Sequence, residues 1–185
     1  ECDGVKAILV CIDHLGIEQN LCSDYRRAVS DVTGVPMEHI IISQTHTHTG
    51  PALQKDSEDE MIADYTSFVE KRLVDVAQFA LSDLKDAKMG YGKGSAPNVA
   101  FIRRYVMKDG SVKTNPGVNN PDIVRPIGDT DDSVNVLRFD REGADSIVFV
   151  NFANHPDVVG GCKISADWPG LLRRDVEKFL GNTKC

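Results

Sequence analysis

The stretch EHIIIS (38–43), followed at once by QTHTHTGP (44–51), decides the fold class because an apolar run passes directly into a polar, histidine-bearing turn. Three consecutive isoleucines are typical of a strand buried on both faces, as in the parallel sheets of α/β proteins. The run VKAILVCID (5–13) has the same character. It predicts a second buried strand, central in its sheet, in which Cys11 is a buried reduced thiol.

Helical spacing follows each of these two predicted strands. Apolar residues recur at intervals of three and four over 18–33, and Gly34 ends that pattern. A long amphipathic helix is predicted over 58–86. Its predicted core face consists of Met61, Tyr65, Phe68, Val69, Leu73, Val76, Ala80 and Leu84. Strands and helices in alternation predict an α/β fold, with a mixed β-sheet flanked by helices.

The second half of the chain predicts shorter elements. Strands are predicted over 88–95 and 98–106. A hairpin closed at REGAD joins 134–140 to 146–154, and a last helix over 168–180 has Asp167 as its N-cap. The segment 108–133 lacks periodicity and is rich in Pro, Gly, Asn and Asp, which predicts a long functional or partner-packed loop. We predict a single α/β domain over residues 1–185.

Composition and charge exclude several classes of function. A formal charge of −7 and a pI of about 5.2 predict no basic surface for nucleic acid. No apolar run approaches the roughly 20 residues of a transmembrane helix. The five cysteines match no zinc or redox spacing. The compartment, whether secreted, periplasmic or cytoplasmic, is left open.

Two histidines follow the predicted strand 38–43. In an extended chain the side chains of His46 and His48 point to the same side, at the carboxyl end of the strand, where α/β sheets place ligands. A His-x-His pair can hold zinc through its ring nitrogens. Two histidines in a polar turn without a metal are an equally good interpretation of this pair alone.

His155 comes after another predicted strand, and His14 follows the strand 5–13 in the same way. Each alone is more typical of a hydrogen-bonded histidine than of a ligand. Histidines at several strand ends together favour a metal site. Arg103 or Arg104 in RRY (103–105), predicted to end a short strand, could hold a carboxylate or a developing oxyanion.

Five strings, taken in order, resemble the N-terminal catalytic domain of the neutral/alkaline (non-lysosomal) ceramidase family. They are HIIISQTHTHTGP (39–51), NVAFIRRY (98–105), VNVLRFD (134–140), VNFANHP (150–156) and ISADWPG (164–170). Enzymes of that family hydrolyse the amide bond of ceramide, a sphingolipid, with a single zinc ion. The resemblance covers most of the chain and corresponds to the front part of the catalytic domain only.

The resemblance implies a role for each matching residue. It makes His46 and His155 ligands of Zn²⁺, and it makes His48 a catalytic residue that stabilises the oxyanion. It matches Arg103, or Arg104 one position later, to an arginine that faces the substrate. By the residues alone, both histidines of the His-x-His pair could equally bind metal.

The chain also departs from the family pattern. The family completes its zinc shell with a Glu and a Tyr far downstream of the histidine-proline string, and this chain ends at Cys185 without them. Ile102 replaces an Asn of the family, and the family's VHPT string is NHPD (154–157) here. We therefore expect the 185-residue chain by itself to bind metal poorly and to be inactive.

The resulting hypothesis is a zinc-dependent hydrolase that cleaves a linear amide bond in a small N-acyl substrate, which could be a lipid, with metal-bound water as nucleophile. One alternative is a non-catalytic binding or structural module. Another is an amidase or esterase acting on a substrate other than a sphingolipid. An apolar face left open in an incomplete catalytic domain predicts a homo-oligomer or a partner that covers it.

Overall fold

The computed structural model describes residues 1–185, which divide into two compact units. The first unit contains residues 1–86, 142–144 and 156–182, and the second contains 87–141, 145–155 and 183–185. The single domain predicted over residues 1–185 stays a prediction, because the compactness of each unit does not test whether they fold together.

The first unit is built on two parallel strands, β1 (Ile8–Ile12) and β2 (Ile40–Gln44). Parallel strands need a crossover connection, and the helix α1 (Gln19–Thr33) supplies it. The helices α2 (Glu60–Ser82) and α3 (Asp167–Leu180) complete the unit. A 3₁₀ turn leads into β2.

One hydrophobic core holds these elements together. It combines β1 and β2 with one face each of α1 and α2, and its members are Ile8, Leu21, Tyr25, Val29, Val35, Ile40, Ile42, Val69, Leu73 and Ala77. Only one face of the two strands is buried, because Leu9 and Ile41 on the opposite face are 45% and 59% exposed. The predicted central strand with two buried faces is therefore wrong. Cys11 lies on the open face and is exposed, which also corrects its prediction as a buried thiol.

The predicted helices of the first unit are confirmed with small changes at their ends. Gly34 ends α1 in the left-handed conformation (φ 71°) and donates its N–H to the Ser30 carbonyl. The core face of α2 differs from the predicted one. The buried residues are Thr66, Val69, Leu73 and Ala77, whereas Met61, Phe68, Val76, Ala80 and Leu84 are exposed.

The second unit consists of β-strands in two sheets. One sheet has the order β3-β7-β8-β9, formed by Ala87–Ser95, Ser133–Arg141, Ser146–Phe152 and Thr183–Lys184. It is mixed, because β8 pairs antiparallel with β7 and parallel with β9. The predicted hairpin is confirmed as β7 and β8.

The other sheet of the second unit has the order β5-β4-β6 and is antiparallel. Its strands are Arg104–Met107, Val112–Thr114 and Ile123–Pro126, numbered β4, β5 and β6. The prediction of a loop over 108–133 is therefore wrong, since β5 and β6 both lie within that segment.

The α/β fold class is confirmed, with mixed strand pairing and the strands distributed over three sheets. None of the helices combines the length and the apolar character needed to cross a bilayer.

Candidate metal centre

Side chains alternate between inside and outside in the turn that follows β2. Thr47 is fully buried and Thr49 is nearly so, while His46 and His48 on the other side are exposed. The two imidazole rings lie with their centroids 5.0 Å apart, edge to face. The sequence-based expectation that they share one side is therefore confirmed.

His46 is held in an uncommon backbone conformation. Its φ of 67° is in the left-handed region, which few residues other than glycine adopt, and its N–H donates to the His14 carbonyl. Its ring Nδ1 lies 2.6 Å from the Leu15 carbonyl oxygen. Because a carbonyl can only accept a hydrogen bond, Nδ1 carries the proton and Nε2 carries the lone pair. Metal-binding histidines are oriented in this way in most proteins.

His48 lies beside a carboxylate. Its Nδ1 is 3.8 Å from Oδ1 of Asp157, and both side chains are partly exposed. Asp157 is two residues after His155, so one short segment contributes both a third imidazole and the acidic neighbour of His48.

His155 follows β8 and is half-buried. One ring nitrogen from each of His46, His48 and His155 lies within 4.8 Å of the other two. Tetrahedral zinc, with Zn–N bonds of about 2.0–2.1 Å, needs nitrogens about 3.4 Å apart. The three nitrogens are close enough together for this group to be a candidate metal site.

The fold has a known counterpart. The chain superposes on a solved structure of a ceramidase complexed with C2, with a TM-score of 0.64 and 20% sequence identity. The fold is ceramidase-like. The likeness covers 99% of this chain, which spans 29% of the length of that ceramidase. No family model and no curated protein matches the sequence. Membership of the neutral/alkaline family stays a prediction.

Two threonines anchor the histidine turn from inside. The hydroxyls of Thr47 and Thr49 donate to the same acceptor, the Ser165 carbonyl, at 2.8 and 3.1 Å. Gly50 follows, and a Cβ there would lie 2.9 Å from the Asp13 carbonyl oxygen. The turn therefore needs glycine at position 50 because the backbone after β1 passes so close.

His14 does not belong to the imidazole group, contrary to its suggestion as a further ligand. It is buried, its Nδ1 is 3.1 Å from the Pro51 carbonyl oxygen, and its Nε2 is 3.2 Å from the Tyr65 hydroxyl. Since Nδ1 donates to the carbonyl, Nε2 accepts from Tyr65. Both ring nitrogens therefore bind protein groups, and His14 is a structural residue.

The neighbouring Asp13 has a structural role as well. Its Oδ2 is 2.6 Å from an Nη of Arg173 on α3, and its Oδ1 accepts from the Thr45 hydroxyl at 3.1 Å. Asp13 therefore ties the residue before His46 to the third helix.

Arg103 immediately precedes β4 and Arg104 is its first residue, so neither lies at the end of a strand, and both are exposed. The Arg103 carbonyl accepts from the N–H of Asn115, so the backbone at this point is held by the strand pairing. The roles assigned to the two side chains stay predictions.

Two acidic residues near the site were missed by sequence reasoning. Asp157 stands in the string NHPD, where its departure from the resembling family's pattern was noted without a role. Asp167 was predicted as an N-cap, but Ala166 is the N-cap and Asp167 is the first helical residue, with a buried side chain and a φ of 53°. The local sequence pattern did not indicate that the side chain of Asp167 would be buried.

Proposed function

We propose that this chain carries the metal-binding part of a zinc-dependent hydrolase that cleaves a linear amide bond in an N-acyl substrate. One observation carries the proposal, which is the approach of three imidazoles from two distant segments to within 4.8 Å of one another. The ceramidase-like fold supports the choice of amide hydrolysis and of an N-acyl lipid among its candidate substrates.

The imidazole donors restrict which metals fit the site. Imidazole nitrogens suit zinc, copper, iron and nickel and do not suit magnesium or calcium. Among these metals we propose zinc, held by Nε2 of His46 and by His155. The hydrogen bond from His46 Nδ1 to the Leu15 carbonyl fits a ligand whose orientation is set before the metal binds.

A bound zinc ion supplies Lewis acidity and lowers the pKa of a water molecule from about 16 towards 7. The chain's own residues then act on the substrate. His48 donates a hydrogen bond to the oxygen on which negative charge develops, and Arg103 supplies a second, charged donor. The Asp157 carboxylate beside His48 Nδ1 orients that ring, so that Nε2 is the nitrogen that acts.

Zinc affinity of four single variants tests the ligand assignment. Competition against a chromophoric chelator compares His46→Ala, His155→Ala and His48→Ala with His39→Ala. His39 is a matched control because it lies in the 3₁₀ turn at the opposite end of β2.

We expect His46→Ala and His155→Ala to weaken zinc binding by more than the 10- to 100-fold typical of residues that only orient a ligand. We expect His48→Ala and His39→Ala to keep the affinity. Loss of affinity in His48→Ala as large as in His46→Ala would make His48 a third ligand. Unchanged affinity in all four variants would refute the metal site.

The substrate class is tested with a panel of ceramide, N-acyl amino sugars and simple N-acyl amides. Where hydrolysis is detected, removal of His48 should lower its rate by about 100- to 1,000-fold, the usual effect of losing one oxyanion donor. Because the 185-residue chain by itself is expected to be inactive, the panel is measured on the full-length protein, and zinc binding by that protein without hydrolysis of any member would favour a non-catalytic binding module.

A further inference from the structure

We infer that Asp167 is a positioning residue, which holds the Asp157 carboxylate against the His48 imidazole. The geometry is independent of the metal. Its consequence for hydrolysis, which would act through His48, rests on the proposed function.

Asp167 is buried, with 3% of its surface exposed, and its carboxylate accepts from three backbone N–H groups. Oδ2 accepts from Val158 at 2.9 Å and from Val159 at 2.8 Å, and Oδ1 accepts from Trp168 at 2.6 Å. Hydrogen bonds to an ionised carboxylate are about twice as strong as neutral ones. The left-handed φ of Asp167 shows that the surrounding structure holds it against its intrinsic backbone preference.

Two of these bonds fix the segment that carries Asp157. The amides of Val158 and Val159 immediately follow Asp157, and both point at one oxygen. Fixing two successive N–H groups fixes the peptide planes after Asp157 and so restricts where the backbone places its Cβ. That side chain ends 3.8 Å from His48 Nδ1.

The same short segment also fixes His48 from the other side. The Asp167 N–H donates to the Ser165 hydroxyl at 3.0 Å, and the Ser165 carbonyl accepts from Thr47 and Thr49, the residues that flank His48. Residues 165–167 are therefore bonded both to the turn that bears His48 and to the loop that bears Asp157. This connection therefore links the imidazole and the carboxylate through the backbone that carries them.

The substitution Asp167→Asn keeps the size of the side chain and removes one acceptor. If its amide oxygen accepts from Val158 and Val159, its NH₂ group faces the N–H of Trp168, and two donors then meet in a buried place. If the amide is flipped, its NH₂ group faces the N–H groups of Val158 and Val159, and the hydrogen bonds to that loop are lost. In both cases we expect the Asp157–His48 geometry to relax.

The readout is the nitrogen NMR spectrum of the imidazole rings in the metal-free 185-residue chain. A carboxylate at Nδ1 favours the form with the proton on Nδ1, whereas a free neutral imidazole favours the proton on Nε2. We expect Asp167→Asn and Asp157→Asn to shift His48 in the same direction, towards the free form, and to leave His39 unchanged. Tyr25→Phe, which removes a buried hydrogen bond between α1 and α2, controls for general loss of stability and should leave His48 unchanged.

A wild-type measurement covers the case in which Asp167→Asn does not fold. The amides of Val158 and Val159 should exchange with solvent much more slowly than that of exposed Gly160 in the same loop. Fast exchange of both amides, or a His48 spectrum that Asp167→Asn leaves unchanged, would overturn the inference.

Zinc affinity separates this inference from the proposed function. We expect Asp167→Asn to keep the zinc affinity of the wild type, as we expect of His48→Ala, because neither His48 nor Asp157 is a proposed ligand. A wild type that binds no zinc but shows the expected His48 shift would refute the proposed function and leave the positioning role intact. If the wild type binds zinc and Asp167→Asn leaves the His48 NMR signals unchanged, the positioning role is refuted and the proposed function stands.

Discussion

The hydrogen bonds beneath the histidine turn make a quantitative prediction about two threonines that share one acceptor. Thr47→Val and Thr49→Val each remove a hydroxyl while keeping the shape of the side chain. In either single variant the Ser165 carbonyl keeps the other threonine as donor. Each single change should therefore cost about 1 kcal/mol of the free energy of unfolding, the net value of one hydrogen bond.

The double variant differs because the shared carbonyl loses both hydroxyl donors. An unsatisfied buried polar group costs about 1–3 kcal/mol in addition to the bonds removed. Because Ser165 is only half-buried, we take about 1–2 kcal/mol of that penalty and expect the double variant to be about 3–4 kcal/mol less stable than the wild type, against about 2 kcal/mol from adding the singles. The coupling energy should be about 1 kcal/mol or more.

Urea unfolding followed by tryptophan fluorescence measures these values. The chain has one tryptophan, Trp168, which lies next to the segment that carries the shared carbonyl, so its signal reports on the first unit. A control cycle combines Thr47→Val with Thr33→Val, whose hydroxyl bonds within α1, and it should be additive. Additivity of Thr47→Val and Thr49→Val within about 0.3–0.5 kcal/mol would refute the reasoning and would mean that water replaces the lost donors.

Two further predictions concern the turn and the helices of the first unit. Gly50→Ala should destabilise the unit by about 1–3 kcal/mol, because its Cβ would meet the Asp13 backbone, and thermal unfolding measures this; an unchanged melting temperature would contradict the close approach. Burial, with smaller contributions from Glu70 and Tyr65, raises the pKa of Tyr25 to about 12, above the unfolded value of about 10. The folded state therefore favours the protonated phenol, so its contribution is complete below pH 10 and is lost as the pH rises from 10 to 12, by about 2–3 kcal/mol. Tyr25→Phe loses the bond to the Thr66 carbonyl and about 1 kcal/mol at neutral pH, but its stability should fall less steeply over that alkaline range in urea titrations.

Local patterns in the sequence predicted much of the secondary structure. The helices α1 and α2, the strands β1 and β2 and the hairpin of β7 and β8 were predicted because each has an apolar period or a turn signal of its own. The common side of His46 and His48 was also predicted, although the extended chain assumed in that prediction does not hold at His46, whose φ is 67°. These features depend on residues that are near one another along the chain.

Features that depend on distant residues could not be predicted in this way. The strands β5 and β6 pair with β4 and lack an apolar period, so the segment that contains them resembled a loop. The core face of α2 was misplaced because several exposed apolar residues, such as Met61 and Phe68, follow the same helical spacing as the buried ones.

The sequence alone determined the α/β class and the helices and strands of the first unit, because short-range periodicity and turn chemistry decide these. Only the tertiary structure decided that His155 approaches that pair, that His14 does not join it, and that Asp167 connects the two loops. The physical reason is that each of these facts depends on contacts between residues far apart in the chain, such as the bonds from Thr47 and Thr49 to Ser165.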